Sequence, residues 1–515
     1  MPEKILGKLK NRILPQYWIC FYCALAAGLA AHLYKLTGWL PNWDSLVFRY
    51  DSQNMVSLGR WFLPVVCSVS SFYDLPFLNG LLSIVFHALG AVCICRILNV
   101  RGGITAFLIG SVIVTFPTVT SVLMYNYVAD GYAIAFFLSC LAAVCMSKDK
   151  PRYIEAAILI ALSAGIYQAY ITVTVMLMLL HLIDDCIYNG KDFKFLVIKG
   201  FKVLAAGVGG MVLYWLILKA VLFFTSQSLG DYQGIDSAFS LASLDFAGSL
   251  YKIKETFVTY FFDFSKGRGL TSALNTLIVI CSVMHYIKYA AINGIFRSPL
   301  KIIFMVIMSF MLISGGAVLA FINAGVDYHT LMLMGYSVFY VFFIILYERG
   351  CDRSERVRNI KCWTVLVLTL GIVFNHIVIA NVSYHKAQIA YEKSYGVLIR
   401  IADRIEQLPQ SGDYDKILVI GSLDGSEAYS VSLPPDITGI TDGYIIRKDD
   451  ETVGQSVLCS ALNDYCHKDY KFLSGKEKNK FLAKDSVQKM GIWPDMSSVS
   501  AVDGVIVVKL GAESE

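Results

Sequence analysis

The sequence predicts an α-helical polytopic membrane protein of about eleven transmembrane helices, followed by a small α/β domain on the extracytoplasmic side. Three observations predict it. Apolar residues make up 56% of the 515 residues and charged residues only 16%, against about 45–50% and about 25% in soluble domains. Mean hydropathy is +0.58, and the apolar residues gather into runs near the roughly 20 residues that cross a hydrocarbon core. From about Asn381 onward the composition turns polar, which divides the chain into a membrane domain, 1–380, and a second domain, 381–515.

In chain order the expected spans are Tyr17–Leu33, Leu75–Cys95, Ile104–Val122, Ala129–Met146, Tyr153–Tyr167, Ala169–Asp184, Phe201–Leu222, Ser272–Ile287, Ile302–Ile322, Leu331–Tyr347 and Cys362–Ala380. The fifth and sixth are separated only by Gly165-Ile166-Tyr167-Gln168, read as a tight extracytoplasmic turn. No signal-peptide cleavage pattern precedes the first span, so it is expected to remain as an anchor.

An odd span number puts the termini on opposite sides, and the basic residues choose which. With the N-terminus inside, the inner connections hold 21 Lys and Arg: Lys4, Lys8, Lys10, Arg12, Arg96, Arg101, Lys148, Lys150, Arg152, Lys191, Lys194, Lys199, Lys202, Lys288, Arg297, Lys301, Arg349, Arg353, Arg356, Arg358 and Lys361. The outer connections hold seven: Lys35, Arg49, Arg60, Lys252, Lys254, Lys266 and Arg268. Basic residues are retained on the cytoplasmic side, so the expectation is a cytoplasmic N-terminus and an extracytoplasmic C-terminal domain.

The net charge of +5 is too small and dispersed for a nucleic-acid partner. Eleven of the 13 Cys lie at or before Cys362, inside apolar runs and without metal-ligand spacing. They read as small buried hydrophobes. No cofactor is assigned, and dependence on a divalent metal stays open. Cys459 and Cys466 lie in the polar tail, where an oxidising compartment would permit them to pair.

Three extracytoplasmic segments stand out. The loop Tyr34–Asp74 is rich in Trp, Asp and Arg; the loop Phe223–Thr271 carries an amphipathic aromatic stretch, Leu250–Phe264, suited to the membrane interface; and the tail is the third. In the tail, Leu398, Ile401, Ile405 and Leu408 keep a helical period, and Lys416–Gly421 and Gly504–Lys509 read as strands. Asp413-Tyr414-Asp415 has the form of a metal-holding pair, but it precedes a strand and reads as a turn.

Chemistry is concentrated in Trp43-Asp44-Ser45-Leu46-Val47-Phe48-Arg49-Tyr50-Asp51 and Gly59-Arg60-Trp61. Ionisable groups at a membrane-embedded cavity are functional candidates. If Ser45–Leu58 is helical, Asp44 and Asp51 stand two turns apart on one face. Solvated loop charges flanked by interfacial tryptophans would give the same spacing.

Those residues, with Gly59-Arg60-Trp61-Phe62-Leu63-Pro64 and Leu75-Pro76-Phe77-Leu78-Asn79-Gly80, resemble the bacterial type II O-antigen, or serotype-converting, glucosyltransferase family. Phe116-Pro117 with Asp130, and Gly165-Ile166-Tyr167-Gln168-Ala169-Tyr170, are similar to its later motifs. The resemblance covers most of the membrane domain and none of the tail. It implies the C-type glycosyltransferase architecture in a bacterial plasma membrane, with a polyprenyl-phosphate sugar donor, glucose for preference, and a cell-surface glycan acceptor. Carried over residue by residue, it implies Asp44 as general base, Asp51 as second choice, and Asp130 as a residue that orients base or acceptor. Arg60 and Arg49, and less directly Lys252 and Lys254, would hold the leaving phosphate. Tyr167, Gln168 and His329 are candidates for sugar or acceptor contacts, with a structural role open for each.

Two other functions would use a similar chain. A transporter or flippase of lipid-linked sugars would more often show inverted repeats, broken helices and mid-membrane charges. Here the charges sit at span ends, Lys219 being the nearest exception. A polymerase or ligase of lipid-linked glycans would be expected to gather its arginines in later, larger loops.

Overall fold

The computed structural model describes residues 13–512, apart from 50, 71, 231–244, 265–268, 322, 324, 350, 351, 353, 410, 424–436, 442, 444 and 446–450. Tyr50 and the basic residues Lys4, Lys8, Lys10, Arg12, Lys266, Arg268 and Arg353, used above, lie outside the described residues. The chain divides into two compact units, Met1–Thr37 with Ser52–Asn381 and Pro434–Thr438, and Gly38–Asp51 with Val382–Leu433 and Gly439–Glu515.

Among the described residues, eight helices are long and apolar enough to cross a membrane: Pro15–Thr37, Pro76–Ile97, Gly103–Met124, Asn126–Ser147, Gln168–Ile187, Phe193–Thr225, Gly269–Ile292 and Glu355–Glu406. Three shorter apolar helices, Tyr153–Ile166, Pro299–Gly315 and Met334–Ile345, fall where the fifth, ninth and tenth spans were expected. The protein is thus a mostly helical, polytopic membrane protein. The chain leaves the helix at Phe116, whose ψ of 138° is extended, and Pro117 opens the next segment because its missing N–H costs nothing at a first turn. The ninth helix stops early, at Gly315. Beyond it, Tyr328 accepts a hydrogen bond from Ala320 N at 2.9 Å and Ser249 donates to Ala320 O at 2.6 Å. Side chains here add to a short 3₁₀ turn, Val318–Phe321, in which Ala320 N also donates to Ala317 O at 3.1 Å.

Helix Pro76–Ile97 packs against Ala129–Ser147 and Pro15–Thr37, and Tyr153–Ile166 packs against Phe193–Thr225. The outer face of Phe193–Thr225 leaves Phe201, Val208, Val212 and Leu216 more than half exposed, which in a membrane protein is lipid-facing surface. At the helix ends that carry most basic residues, buried carboxylates meet the cations. Arg349 forks onto Asp184 through two bonds of 3.1 Å. Lys199 pairs with Asp185 at 2.6 Å, and Lys288 and Lys361 both bind Asp352. Burial opposes ionisation of Asp352, but its bonds from Lys288, Tyr289 and Lys361 hold the carboxyl at about 2.

The second unit is built on four strands, β1 Lys416–Ile420, β2 Lys471–Phe472, β3 Val499–Val502 and β4 Val505–Lys509, in the order β2-β1-β4-β3. β1 runs parallel to β2 and β4; β3 and β4 form an antiparallel hairpin. Side chains alternate between two buried faces, as expected of a covered sheet. Ile417, Val419, Ile506 and Val508 pack with Leu398, Ile401, Ile405 and Leu458, while Leu418, Ile420, Val505 and Val507 pack with Val487 and Met490. Leu46, far away in sequence, belongs to the first of these clusters. A boundary at 380/381 alone therefore omits Gly38–Asp51 from the unit with which it packs.

Cys459 and Cys466 are free thiols. They sit on one helix, Glu451–Cys466, where seven residues of rise separate them by about 10 Å, beyond the roughly 7 Å Cα separation that a disulfide spans. Asp415 pairs with Lys471 at 3.1 Å, and that bond lowers its pKa, so Asp413-Tyr414-Asp415 forms the turn into β1.

Candidate functional site

In the membrane unit, motifs that lie far apart in sequence converge on Arg60. The backbone reaches it through Gly59, whose φ of +77° is left-handed and whose missing Cβ leaves room for Gln168 Nε2 and Tyr214 Oη, each 2.5 Å from where that carbon would lie. Only glycine meets both conditions without strain. Gln168 Nε2 donates to Leu58 O and Tyr214 Oη, both at 3.0 Å, and Tyr214 Oη donates to Gly59 O at 3.1 Å. Phe62 N donates to Gly165 O at 2.8 Å, and the Trp61 ring lies where a side chain on Gly165 would stand. The Gly59-Arg60-Trp61 and Gly165–Gln168 motifs are thus one tied structure.

The tie aims the guanidinium. Arg60 Nη1 donates to Tyr132 Oη at 2.9 Å and to Met55 Sδ at 3.3 Å. Its carbon stands 4.9 Å from the Tyr167 ring centroid and 5.8 Å from that of Tyr132, and the two rings stack at 4.6 Å with 8° between their planes. Each such cation–ring contact is worth about 0.5–2 kcal/mol, the higher figure when water is excluded. The field of Arg60 reaches His329. Burial lowers its pKa, Asp327 opposes the shift and Arg60 adds to it, so the imidazole is neutral near pH 7. The adjacent Thr330 carbonyl accepts from Thr118 Oγ1 at 2.7 Å, which fixes this loop to the helix begun by Pro117.

A second polar group surrounds Asp130 at the start of helix Ala129–Ser147. The residue is fully buried, and neither carboxylate oxygen has a partner at hydrogen-bond geometry among the described residues; the Ser70 hydroxyl lies beside it. One turn earlier, Asn126 Nδ2 donates to Asp74 Oδ1 at 2.5 Å, and Asn79 Nδ2 donates to Asn126 O at 3.1 Å. Asp74, with Lys35 acting on it, is a buried carboxylate that the sequence reading passed over, although it stands directly before Leu75-Pro76 and ends the loop rich in charge.

Asp44, Arg49 and Asp51 belong to the second unit. Of the two readings of Ser45–Leu58, one continuous helix or a loop, the helix does not form. A short helix, Trp43–Val47, is closed at its start by a reciprocal cap between Asn42 and Ser45, and ends at Phe48; Gln53 then takes a φ of +57°, which no helix accommodates. Asp44 and Asp51 therefore share no helical face. Trp43 Nε1 donates to Gly443 O at 3.0 Å and Leu46 enters the core, leaving Asp44 half-buried on an anchored turn. Arg49 lies over the Trp39 ring, 4.4 Å from its centroid, and pairs with Asp464 at 3.6 Å.

The other candidates fall elsewhere. Lys252 pairs with Glu255 at 3.2 Å on helix Phe246–Phe262, where Lys254 is exposed. Gln168 donates both its hydrogens to Leu58 and Tyr214, which makes it a brace for Gly59. Among the described residues, no group of three or more His, Cys, Asp or Glu is placed to hold a metal ion.

A fixed cation on a stacked tyrosine pair can stabilise negative charge that develops nearby. No curated protein and no solved structure matches the chain. The family model described as glucosyl transferase GtrII matches residues 33–347, which includes every motif that converges on Arg60 as well as the Asp44 helix. The chain therefore belongs to the GtrII glucosyl transferase family and is a membrane glycosyltransferase.

Proposed function

We propose that the protein transfers a sugar, glucose by its family, from a polyprenyl-phosphate donor to an extracytoplasmic cell-surface polysaccharide in a bacterial plasma membrane. The observation that carries this reading is the Arg60 cage, in which several family motifs are tied together to fix one guanidinium. An acceptor hydroxyl attacks the anomeric carbon while its proton passes to the Asp44 carboxylate. The bond from that carbon to the phosphate oxygen breaks, and its electron pair leaves on the phosphate. Arg60 stabilises the charge that grows there, and inversion at the sugar follows from the single displacement. Asp51 and Asp130 are the alternatives for the base, and the buried Asp130 suits an orienting role better.

A lipid donor fits the orientation that the basic residues favour, with the N-terminus cytoplasmic and Asp44, Arg60 and Asp130 toward the outside, where nucleotide sugars are absent. An isoprenoid chain lying between helices would add about 0.8 kcal/mol of affinity per buried CH₂. The architecture would then be of the C-type, with about eleven spans. The test offers purified protein either labelled UDP-glucose or labelled polyprenyl-phosphate glucose, each with the acceptor polysaccharide and no other enzyme. Transfer from the lipid donor alone is expected; transfer from UDP-glucose alone overturns the proposal.

A further inference from the structure

The second unit carries an aromatic cluster at the edge of its core: Trp39, Tyr391 and Tyr465 pack against the core, and Tyr395 extends the cluster outward. Tyr391 and Tyr395 lie one turn apart on helix Glu355–Glu406, their rings parallel at 17° and 6.1 Å between centroids. Tyr465 meets Tyr395 edge to face at 5.8 Å and Trp39 at 6.1 Å. Arg49 covers the Trp39 ring and holds the carboxylate of Asp464, the neighbour of Tyr465. Tyr395 is nevertheless 40% exposed, and the Asp464 side chain 38%.

Two ordinary explanations do not account for this arrangement. An interfacial tyrosine belt lies in apolar sequence, whereas these tyrosines are set among Lys386, Glu392, Lys393 and Arg400. The core accounts for the inner rings, but Tyr395 presents ring surface to solvent, and the Tyr465 ring that it touches is the chain neighbour of the carboxylate held by Arg49. Ring surface next to a held carboxylate is the chemistry that recognises a pyranose. The sugar's C–H face carries partial positive charge and rests on the negative face of an aromatic ring, while its hydroxyls donate to carboxylate oxygens.

We propose that Tyr395, backed by Tyr391 and Tyr465, and Asp464, held by Arg49, form a glycan-binding platform that takes a sugar unit of the acceptor polysaccharide. As an acceptor site it rests on the transfer reaction proposed above. The helix Trp43–Val47, which carries Asp44, packs against the helix Glu451–Cys466 that carries Asp464 and Tyr465. The platform therefore shares its foundation with the proposed base, and a polysaccharide held there has further units along its chain to present to Asp44.

The test uses the full-length protein in detergent without donor. The probe is the oligosaccharide mixture released by mild acid from the surface polysaccharide of the cells that make the protein. Saturation-transfer NMR should show wild-type protein and Tyr395→Phe binding the probe alike, with Tyr395→Ala weaker by about three- to tenfold, the scale of one ring contact. Unchanged affinity in Tyr395→Ala, or equal loss in Tyr395→Phe, overturns the platform. A turnover assay with polyprenyl-phosphate glucose separates the two proposals. Transfer with an unaltered acceptor KM in Tyr395→Ala refutes the platform and leaves the reaction standing. Binding that depends on Tyr395, with no transfer from that donor, supports the platform and refutes the reaction.

Discussion

Arg60 and Asp44, the two residues on which the proposed reaction depends most, are carried by different kinds of structure. Arg60 is fixed by contacts contributed from residue 55 to residue 167: Met55, Gly59, Tyr132 and Tyr167 each define its place. Asp44 stands half-buried on a helix of five residues, which Asn42, Trp43, Ser45 and Leu46 anchor within the second unit. The difference suits two kinds of work. A charge that must stabilise a leaving group benefits from rigid preorganisation, and a base from an anchored backbone that sets its distance to the acceptor hydroxyl.

Substitutions can break or sharpen this contrast. Asp44→Asn should cause the largest change, lowering transfer by about 10²–10⁴, the range for loss of a general base, with yield and thermal midpoint nearly unchanged because the amide keeps the size of a half-buried side chain. Initial rates on purified protein decide it, and near-normal turnover would move the base to Asp51 or Asp130. Arg60→Lys, which keeps the charge but loses the planar fork, should lower kcat by about tenfold; kinetics at saturating acceptor check this, and wild-type values would remove the guanidinium from the reaction.

The two sites were unequally legible. The sequence exposes the apolar runs, the break at Tyr167 and the individual motifs because each is local: a period, a proline or a glycine. It does not reveal that Leu58 and Gly59 are braced by Gln168 and Tyr214, or that Trp43 reaches Gly443, since those contacts join residues between 110 and 400 positions apart along the chain. The expected helix over Ser45–Leu58 failed for a local reason with a distant cause. Its residues have no breaker, but Arg49 is drawn to Trp39 and Asp464. Asp74 went unremarked because a lone carboxylate beside a proline resembles any turn until Asn126 and Lys35 are brought to it.

Two smaller effects probe rigidity. Gly165→Ala places a methyl carbon within 2.6 Å of the Trp61 ring and should cost about 1–3 kcal/mol through overpacking, seen as a lower thermal midpoint in detergent. Gly412→Ala, with open space around it in the second unit, should leave the midpoint within a degree or two. Equal effects would deny that the Arg60 region is the more tightly built. The smallest effect concerns pH. Burial places the folded pKa of His329 below its ordinary 6.5, so its neutral form contributes stability that is complete above pH 6.5 and is lost as pH falls toward the folded value. Midpoints at pH 7.5 and 5.5 should therefore diverge more in the wild type than in His329→Gln; parallel slopes would show that His329 is not buried against Arg60.

The carboxylates beneath the basic helix ends have a consequence for biogenesis. In the proposed orientation, Lys199, Lys288, Arg349 and Lys361 help to keep their connections in the cytoplasm, yet in the finished protein they face Asp185, Asp352 and Asp184. Acidic residues weigh little while a chain is being threaded into the bilayer; they matter once helices pack. The same cations thus act first as unmatched topological signals and later as matched members of buried pairs. A variant such as Asp352→Asn should insert in the native orientation and then fail to consolidate, leaving Lys361 buried without its counter-charge, so membrane insertion and helix assembly become separable by one atom exchange.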